Sequence, residues 1–233
     1  LFFYLYMIKL LKSLNDCKVL SMNNKYIYNL ENIDFDKVSR LLKSGKLIIY
    51  PTDTVYGVGG VIQSEDAIRG IYLAKKRSFT SPLIVLVSKP EKIEEIAYID
   101  EKNREKIEKL IKRFWPCSLT IILKKTPCVP DIMTANGDTV GVRMPDLKIA
   151  LDIIDSVGGI FPTTSANISG ESTPRSYEEL SQDFKERVDI IIDGGKAPVG
   201  VASTIVDMSG DVPEVLRTGA ISVEEIEDTI GKI

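Results

Sequence analysis

The sequence predicts one α/β domain built on a central mixed sheet, on three observations. Short apolar runs with strand character alternate with amphipathic stretches at helical spacing from residue 22 to residue 233, the pattern of a sheet layered with helices. No repeat, low-complexity tract or linker interrupts that alternation. Two strand-like runs, near Ile205 and Val215, stand too close in sequence for a crossover helix, which argues against a purely parallel sheet.

The elements follow in order. Phe35, Val38, Leu41 and Leu42 have helical spacing behind Asp34, and Gly45 is a suitable stop. Residues 47–50 read as a buried strand that ends at Pro51, a residue unable to donate to a ladder. After it, Thr52 to Gly60 combines hydroxyls, one carboxylate and three glycines at a strand end, where α/β sheets collect ligands; equally, the stretch reads as a strand, a tight turn and a second strand. It matches neither the P-loop nor the Gly-x-Gly-x-x-Gly pattern. Ser64 is placed to cap a helix with Glu65 and Asp66 at its positive end and Ala67, Ile68, Ile71 and Tyr72 as its apolar face, closing on Lys75-Lys76-Arg77. Residues 83–87 form the next strand, and Pro90 opens a short helix to Ala97.

Asp100 begins a charged helix that must end before Pro116, and residues 119–123 are strand-like. A long polar loop, 124–138, leads to a strand at 140–144. Loops of that length are usually functional or mobile. Asp146 is expected to cap a helix to about Val157, residues 160–163 to form a strand, and the run Ser165-Ala166-Asn167-Ile168-Ser169-Gly170 to follow it. Ser176 with Glu179, and Ser222 with Glu225, have capping-box spacing. Strands are expected at 188–192, 203–206 and 215–216.

Composition sets the function classes that remain. A chain of 233 residues with net charge −3 can bury a full core and does not suggest wholesale electrostatic binding of nucleic acid. It contains no histidine, which excludes Ser-His-Asp and Cys-His catalysis and His-based metal sites. Three cysteines, Cys17, Cys117 and Cys128, include no Cys-x-x-Cys pair, so neither zinc nor a disulfide framework is indicated. A reducing cytoplasm fits this usage, and neither zinc nor haem is expected. The apolar start, Leu1 to Ile8, has its lysines after the run rather than before it and falls well short of the roughly 20 residues that span a bilayer. Residues 1–21 are therefore expected to be a non-native or disordered extension, with an interfacial helix as the alternative, and residues 22–233 to be the single domain.

Cations recur at the ends of segments: Lys75 and Arg77 after a helix, Arg143 on a strand, Arg175 in a loop, Arg217 after a strand. Singly, each is explained by a helix dipole, by solvent or by a surface carboxylate. Arg143 resists that explanation, because a charge in an apolar strand needs a partner or a ligand. Thr52, Thr163, Thr164, Ser165, Asn167, Ser203 and Thr204 gather near strand ends in the same way. Together they describe a concave site with fixed charge and hydrogen-bond donors but no strong base, suited to phosphoryl or nucleotidyl chemistry.

Six ordered blocks carry a resemblance: Tyr50-Pro51-Thr52-Asp53-Thr54-Val55-Tyr56-Gly57-Val58-Gly59; Lys75-x-Arg77 with residues 81–85; Trp115-Pro116; Val142-Arg143-Met144-Pro145; Ser165 to Gly170; and Ser203-Thr204-Ile205 with Leu216-Arg217-x-Gly219. From about Asn32 onward the chain closely resembles the YrdC-like family of threonylcarbamoyl-AMP synthases. The resemblance implies a twisted mixed sheet flanked by helices. It also implies synthesis of threonylcarbamoyl-adenylate from L-threonine, bicarbonate and ATP, with release of pyrophosphate, for the t6A base of tRNA. Carried over by position, Thr52, Arg143, Ser165 and Ser203 would hold threonine. Lys75, Arg77, Thr139, Asn167, Arg175 and Arg217 would hold ATP and the bicarbonate-derived group, with Lys75 and Arg77 as the catalytic pair nearest the phosphates.

In this picture Mg2+ arrives with ATP, no side chain is a metal ligand, and no side chain titrates near neutrality, so substrate or solvent takes the proton. The product would pass to a tRNA threonylcarbamoyl-transferase complex, with weak RNA contact and no membrane. This chain departs from the family pattern in three places: Leu86 stands where many members have histidine, Cys117-Ser118 replaces Gly-Pro, and Ala202 replaces an acidic residue or proline. The competing function is a double-stranded RNA or tRNA-binding module of the same fold, disfavoured by the intact Lys75-x-Arg77 and Ser165-x-Asn167 pairs and the acidic balance. A carbamoyl-transfer domain of a larger maturation protein is disfavoured because no acylphosphatase-like or zinc-finger segment accompanies it.

Overall fold

The computed structural model describes residues 25–233; the extension expected at residues 1–21 lies outside them. Eleven strands form one mixed sheet: β1 (Tyr26–Asn29), β2 (Ile48–Pro51), β3 (Tyr56–Gly59), β4 (Ile84–Val87), β5 (Ala97–Tyr98), β6 (Leu119–Lys125), β7 (Thr139–Arg143), β8 (Ile160–Ser165), β9 (Ile190–Asp193), β10 (Thr204–Asp207) and β11 (Glu214–Arg217). Their order is β1-β9-β2-β3-β8-β4-β7-β6-β10-β11, with the two-residue β5 also pairing β6. β10 and β11 pair antiparallel, as their proximity in sequence requires, while β1–β9, β9–β2, β4–β7 and β6–β10 are parallel. Seven α-helices among the described residues flank the sheet: α1 (Phe35–Lys43), α2 (Glu65–Ala74), α3 (Ile93–Ile96), α4 (Arg104–Phe114), α5 (Lys148–Ser156), α6 (Gln182–Lys185) and α7 (Val223–Ile230).

Alternation along the strands divides the core in two. Ile48, Tyr50, Leu86, Phe161, Ile190 and Ile192 pack with Val38 and Leu42 of α1 and with Ala150, Ile153 and Ile154 of α5. Their neighbours Ile49, Val58, Val85, Val87, Ile121 and Ile191 pack with Ile68, Ile71 and Tyr72 of α2, Ile107 and Leu110 of α4, and Ile226 and Ile230 of α7. Successive side chains point to opposite sides of a sheet, so these are its two faces. Each large side chain buried in this way contributes roughly 1.5–3 kcal/mol.

The caps at Ser64 and Ser222 form as expected: Ser64 Oγ accepts from Ala67 N, and Ser222 with Glu225 makes a complete capping box. Other expectations need correction. Pro51 closes β2 from within the strand; β9 pairs β2 only at Ile48 and Ile49, so Pro51 lies where that side carries no ladder. The charged helix starts at Arg104 rather than Asp100, whose carboxylate instead accepts from Lys102 N in a turn. Helix α5 starts at Lys148 behind Leu147 with no side-chain cap, so Asp146 does not cap it. No helix follows Ser176: Glu179 accepts from Arg175 N at 2.8 Å, and Ser181 caps the four-residue α6. The loop expected at 124–138 is tighter, because β6 runs on to Lys125 and a 3-10 turn occupies Asp131–Thr134.

Candidate active site

The β2–β3 connection forms one wall of a cavity of about 280 Å³. Thr52 Oγ1 donates to Val55 O at 2.7 Å and accepts from Val55 N, which folds the turn back on itself. Its remaining contact, with Thr54 Oγ1 at 3.0 Å, therefore runs from Thr54 as donor. Thr54 Oγ1 in turn accepts from Arg143 Nη1 at 2.9 Å. At Gly57 a Cβ would stand 2.9 Å from Thr163 Cγ2, so the cavity floor there requires the bare backbone.

Arg143, at the end of β7, is 4% exposed and lines the cavity. It has the partner that its place in an apolar strand demanded. Its Nη2 pairs with the Asp53 carboxylate, also buried, and its Nε donates to Cys117 O at 2.9 Å. Asp53 accepts a second bond from Ser118 Oγ at 3.0 Å. Neither Asp53 nor Ser118 was among the expected site residues. The signal for Asp53 was present, a carboxylate beside Thr52 and Thr54 at a strand end. Nothing in sequence linked it to a guanidinium 90 positions away.

Arg77 and Arg217 line the same cavity. Arg77 follows Lys76, which stands two residues past the end of α2 in the left-handed region at φ 50° and turns the chain back. Its Nη1 donates to Thr164 Oγ1 at 3.0 Å and its Nη2 to Pro82 O at 2.9 Å. Arg217 donates from Nη2 to Ser203 O at 2.9 Å and to Ser203 Oγ at 3.2 Å, and Ser203 Oγ shares a 2.8 Å bond with Thr120. Burial lowers the pKa of both arginines, and nearby Arg143 lowers Arg217 further. Two residues on, a Cβ at Gly219 would fall 2.2 Å from Ala202 O, so the close pass of this strand end over residues 202–204 depends on glycine.

Lys75 is placed differently from expectation. It is 2% exposed and stands behind the cavity wall, outside the lining. Its ammonium donates to Ser165 O at 2.5 Å, Asn167 O at 2.8 Å and Asn167 Oδ1 at 3.1 Å. Asn167 Oδ1 also accepts from Ser165 Oγ at 2.6 Å, while its Nδ2 donates to Ile168 O and Glu171 O. Lys75 and Asn167 thus shape the loop that presents Ser165. Burial first, and the neighbouring Arg77 second, push Lys75 down to about 7. The Cys117 thiol is pushed up to about 12, chiefly by burial, and is no nucleophile near pH 7.

The structure brings Thr52, Arg143, Ser165 and Ser203 into one lining with Arg77 and Arg217. Lys75 and Asn167 stand immediately behind it. Thr139 begins β7, at the opposite end from Arg143, and Arg175 is exposed beside Glu179 at 3.5 Å; neither lines the cavity. Leu86, 1% exposed, gives the floor an apolar patch with Ile84 and Ile205.

The mixed-sheet α/β fold places three guanidinium groups and an array of hydroxyls around one cavity, an arrangement chemically able to hold small anionic groups. Residues 40–219 match the family model described as "Sua5_yciO_yrdC: Telomere recombination". The chain belongs to this family. A threonylcarbamoyl-AMP synthase of Pyrococcus abyssi is 41% identical over 192 residues, 82% of this chain and 56% of that protein. One of Bacillus subtilis is 39% identical over 201 residues, again 56% of its length, so the chain spans little more than half of these relatives. A Methanocaldococcus jannaschii relative, 36% identical over 215 residues, is matched over 99% of its length. The crystal structure of P. abyssi Sua5 complexed with L-threonine aligns at TM-score 0.84 and 39% identity, covering 90% of this chain and 62% of that one.

Proposed function

We propose that this protein makes threonylcarbamoyl-adenylate and pyrophosphate from L-threonine, bicarbonate and ATP. The observation that carries the reading is the single cavity in which Arg143 with Thr52, Ser165 and Ser203 meets Arg77 and Arg217. Kinship with the P. abyssi enzyme complexed with L-threonine supports it. In this reading the threonine carboxylate lies on the Arg143 fork, and its amine nitrogen attacks the carbon of carbon dioxide derived from bicarbonate. A proton leaves to solvent or substrate and a carbamate forms. A carbamate oxygen then attacks the α-phosphorus of ATP, and the bond to pyrophosphate breaks. Arg77 and Arg217 neutralise the phosphate charge as it moves to the leaving group. Lys75 and Asn167 act from behind by fixing Ser165. Thr139 and Arg175 reach ATP only if the nucleotide extends beyond the cavity walls.

ATP is a substrate here, with Mg2+ carried on it. Among the described residues no three His, Cys, Asp or Glu side chains converge, and the oxygens of Asp53 already accept from Arg143 and Ser118. In this reading the nucleotide's own phosphates would be the main ligands for the divalent ion. The adenylate would pass to a tRNA threonylcarbamoyl-transferase complex in the cytoplasm; no helix of the described residues is long and apolar enough to cross a membrane. The test is pyrophosphate release from purified protein. It should require all three substrates together, and equal release without threonine would refute the assignment. The RNA-binding alternative predicts no release under any of these conditions.

A further inference from the structure

The ion pair beside the cavity is held by more contacts than charge cancellation requires. Asp53, 2% exposed, is bound at both oxygens: Oδ1 by Arg143 Nη2, Oδ2 by Ser118 Oγ. Its backbone carbonyl accepts from Val199 N at 2.8 Å, and Ser118 O accepts from Thr204 N at 2.9 Å. A carboxylate gripped at both oxygens cannot turn about its own bond to the chain. The guanidinium it faces is fixed at three nitrogens, by Asp53, by Thr54 Oγ1 and by Cys117 O. A guanidinium has five N–H groups, so two remain, one on Nη1 and one on Nη2. Two donors are the number that the two oxygens of a carboxylate can accept from one guanidinium.

The dipeptide Cys117-Ser118 contributes at two points. The carbonyl of Cys117 holds Arg143 Nε, and the hydroxyl of Ser118 holds the far side of Asp53. Of the two residues, only Ser118 acts through its side chain, so the grip on Asp53 depends on the residue type at 118 while the bond to Arg143 Nε does not depend on the type at 117. We propose that Asp53 and Ser118 are positioning residues, which set the orientation of the Arg143 fork toward the α-carboxylate of the amino-acid substrate. This rests on the reading that Arg143 holds that carboxylate. Asp53 also cancels the charge of Arg143, so recognition there depends on the fork's direction more than on net charge.

The test uses the full chain, with KM for threonine and for ATP determined separately and threonine binding measured by calorimetry. Ser118→Ala removes one hydrogen bond and leaves the ion pair; it should raise the threonine KM about threefold or more and leave the ATP KM within about twofold. Asp53→Ala should raise the threonine KM at least tenfold, and adding Ser118→Ala to it should cost nothing further, because the two act through one contact. Asp53→Asn, which retains an acceptor for Arg143 and can donate to Ser118, should recover most of the loss. If Asp53→Ala does not fold, the Ser118→Ala result decides. A folded Ser118→Ala protein with an unchanged threonine KM, or with both constants raised alike, overturns the proposal. Arg143→Lys separates the two layers. If it weakens threonine binding while Ser118→Ala does not, the positioning role alone is wrong; if it leaves threonine binding intact, the assignment of Arg143 to the substrate falls and the positioning role with it.

Discussion

Lys75 sets two forces against each other, and its replacement by methionine measures which one wins. Burial and Arg77 push its pKa from 10.5 to about 7. Against them, four oxygens at 2.5, 2.8, 3.1 and 3.4 Å surround the nitrogen, and only the ammonium form has the three N–H groups needed to serve the nearest three. Between about 7 and 10.5 the unfolded chain keeps the proton that the folded protein has released, so stability rises with pH at up to about 1.4 kcal/mol per unit. Below 7 both states are protonated and the full cost of burying the ammonium is felt. Integrated from pH 7 to 8.5, wild type should gain about 1.6 kcal/mol over Lys75→Met. Urea unfolding of both proteins across that range reads the difference, and groups common to the two cancel. A difference that stays flat from pH 7 to 8.5 would refute the reasoning: the oxygens would then hold Lys75 as a permanent cation, as composition alone had suggested.

Arg143→Lys should raise the threonine KM at least tenfold, about 1.4 kcal/mol, because a point charge cannot span Cys117 O, Thr54 Oγ1 and Asp53 while also presenting a fork. Weakened ATP binding with an unchanged threonine constant would instead move Arg143 to the nucleotide side. Gly219→Ala should lower stability by roughly 1–3 kcal/mol in thermal or urea unfolding, since the new Cβ meets backbone that cannot swing aside; a variant of wild-type stability would show that residues 202–204 can yield. Raising salt tenfold should increase the ATP KM several-fold and leave the threonine KM nearly unchanged, because screening acts on uncompensated charge, and equal shifts would contradict the charge arrangement of the cavity.

What could be read in the sequence was what depends on local order. The strands at Ile84–Val87 and Leu119–Lys125, the caps at Ser64 and Ser222 and the glycine stop at Gly45 all follow from residues within one turn or one strand of each other. Local signals also misled: Ser176 and Glu179 have capping-box spacing, yet Glu179 is taken by the backbone of Arg175. Arg143 stood out because a charge interrupts an apolar strand, but its partner lies 90 positions earlier, a distance that only the sheet order closes. Lys75 was legible as a cation and not as a buried one. Its partners are chiefly the carbonyls of Ser165 and Asn167, 90 and 92 positions on, and backbone acceptors leave no mark in a sequence.

The arrangement of charge around the cavity would let one space sort a polyanion from a zwitterion. Arg143 is paired with Asp53, whereas among the described residues neither Arg77 nor Arg217 has a carboxylate within ion-pair distance. At an effective dielectric near 20, an unpaired guanidinium attracts a phosphate at about 4 Å by roughly 4 kcal/mol, and a guanidinium already neutralised attracts it far less. Under the proposed function, ATP phosphates would be drawn toward Arg77 and Arg217 and would gain little at Arg143. Threonine is a zwitterion, so repulsion of its ammonium offsets part of what bare positive charge gains from its carboxylate. In the proposed reading it would bind where directed hydrogen bonds count for more than net charge, at the neutralised fork. On that reading the Asp53 carboxylate would keep the amino-acid subsite from being filled by the more highly charged substrate, a role that requires it to lie beside Arg143 and away from the other two arginines.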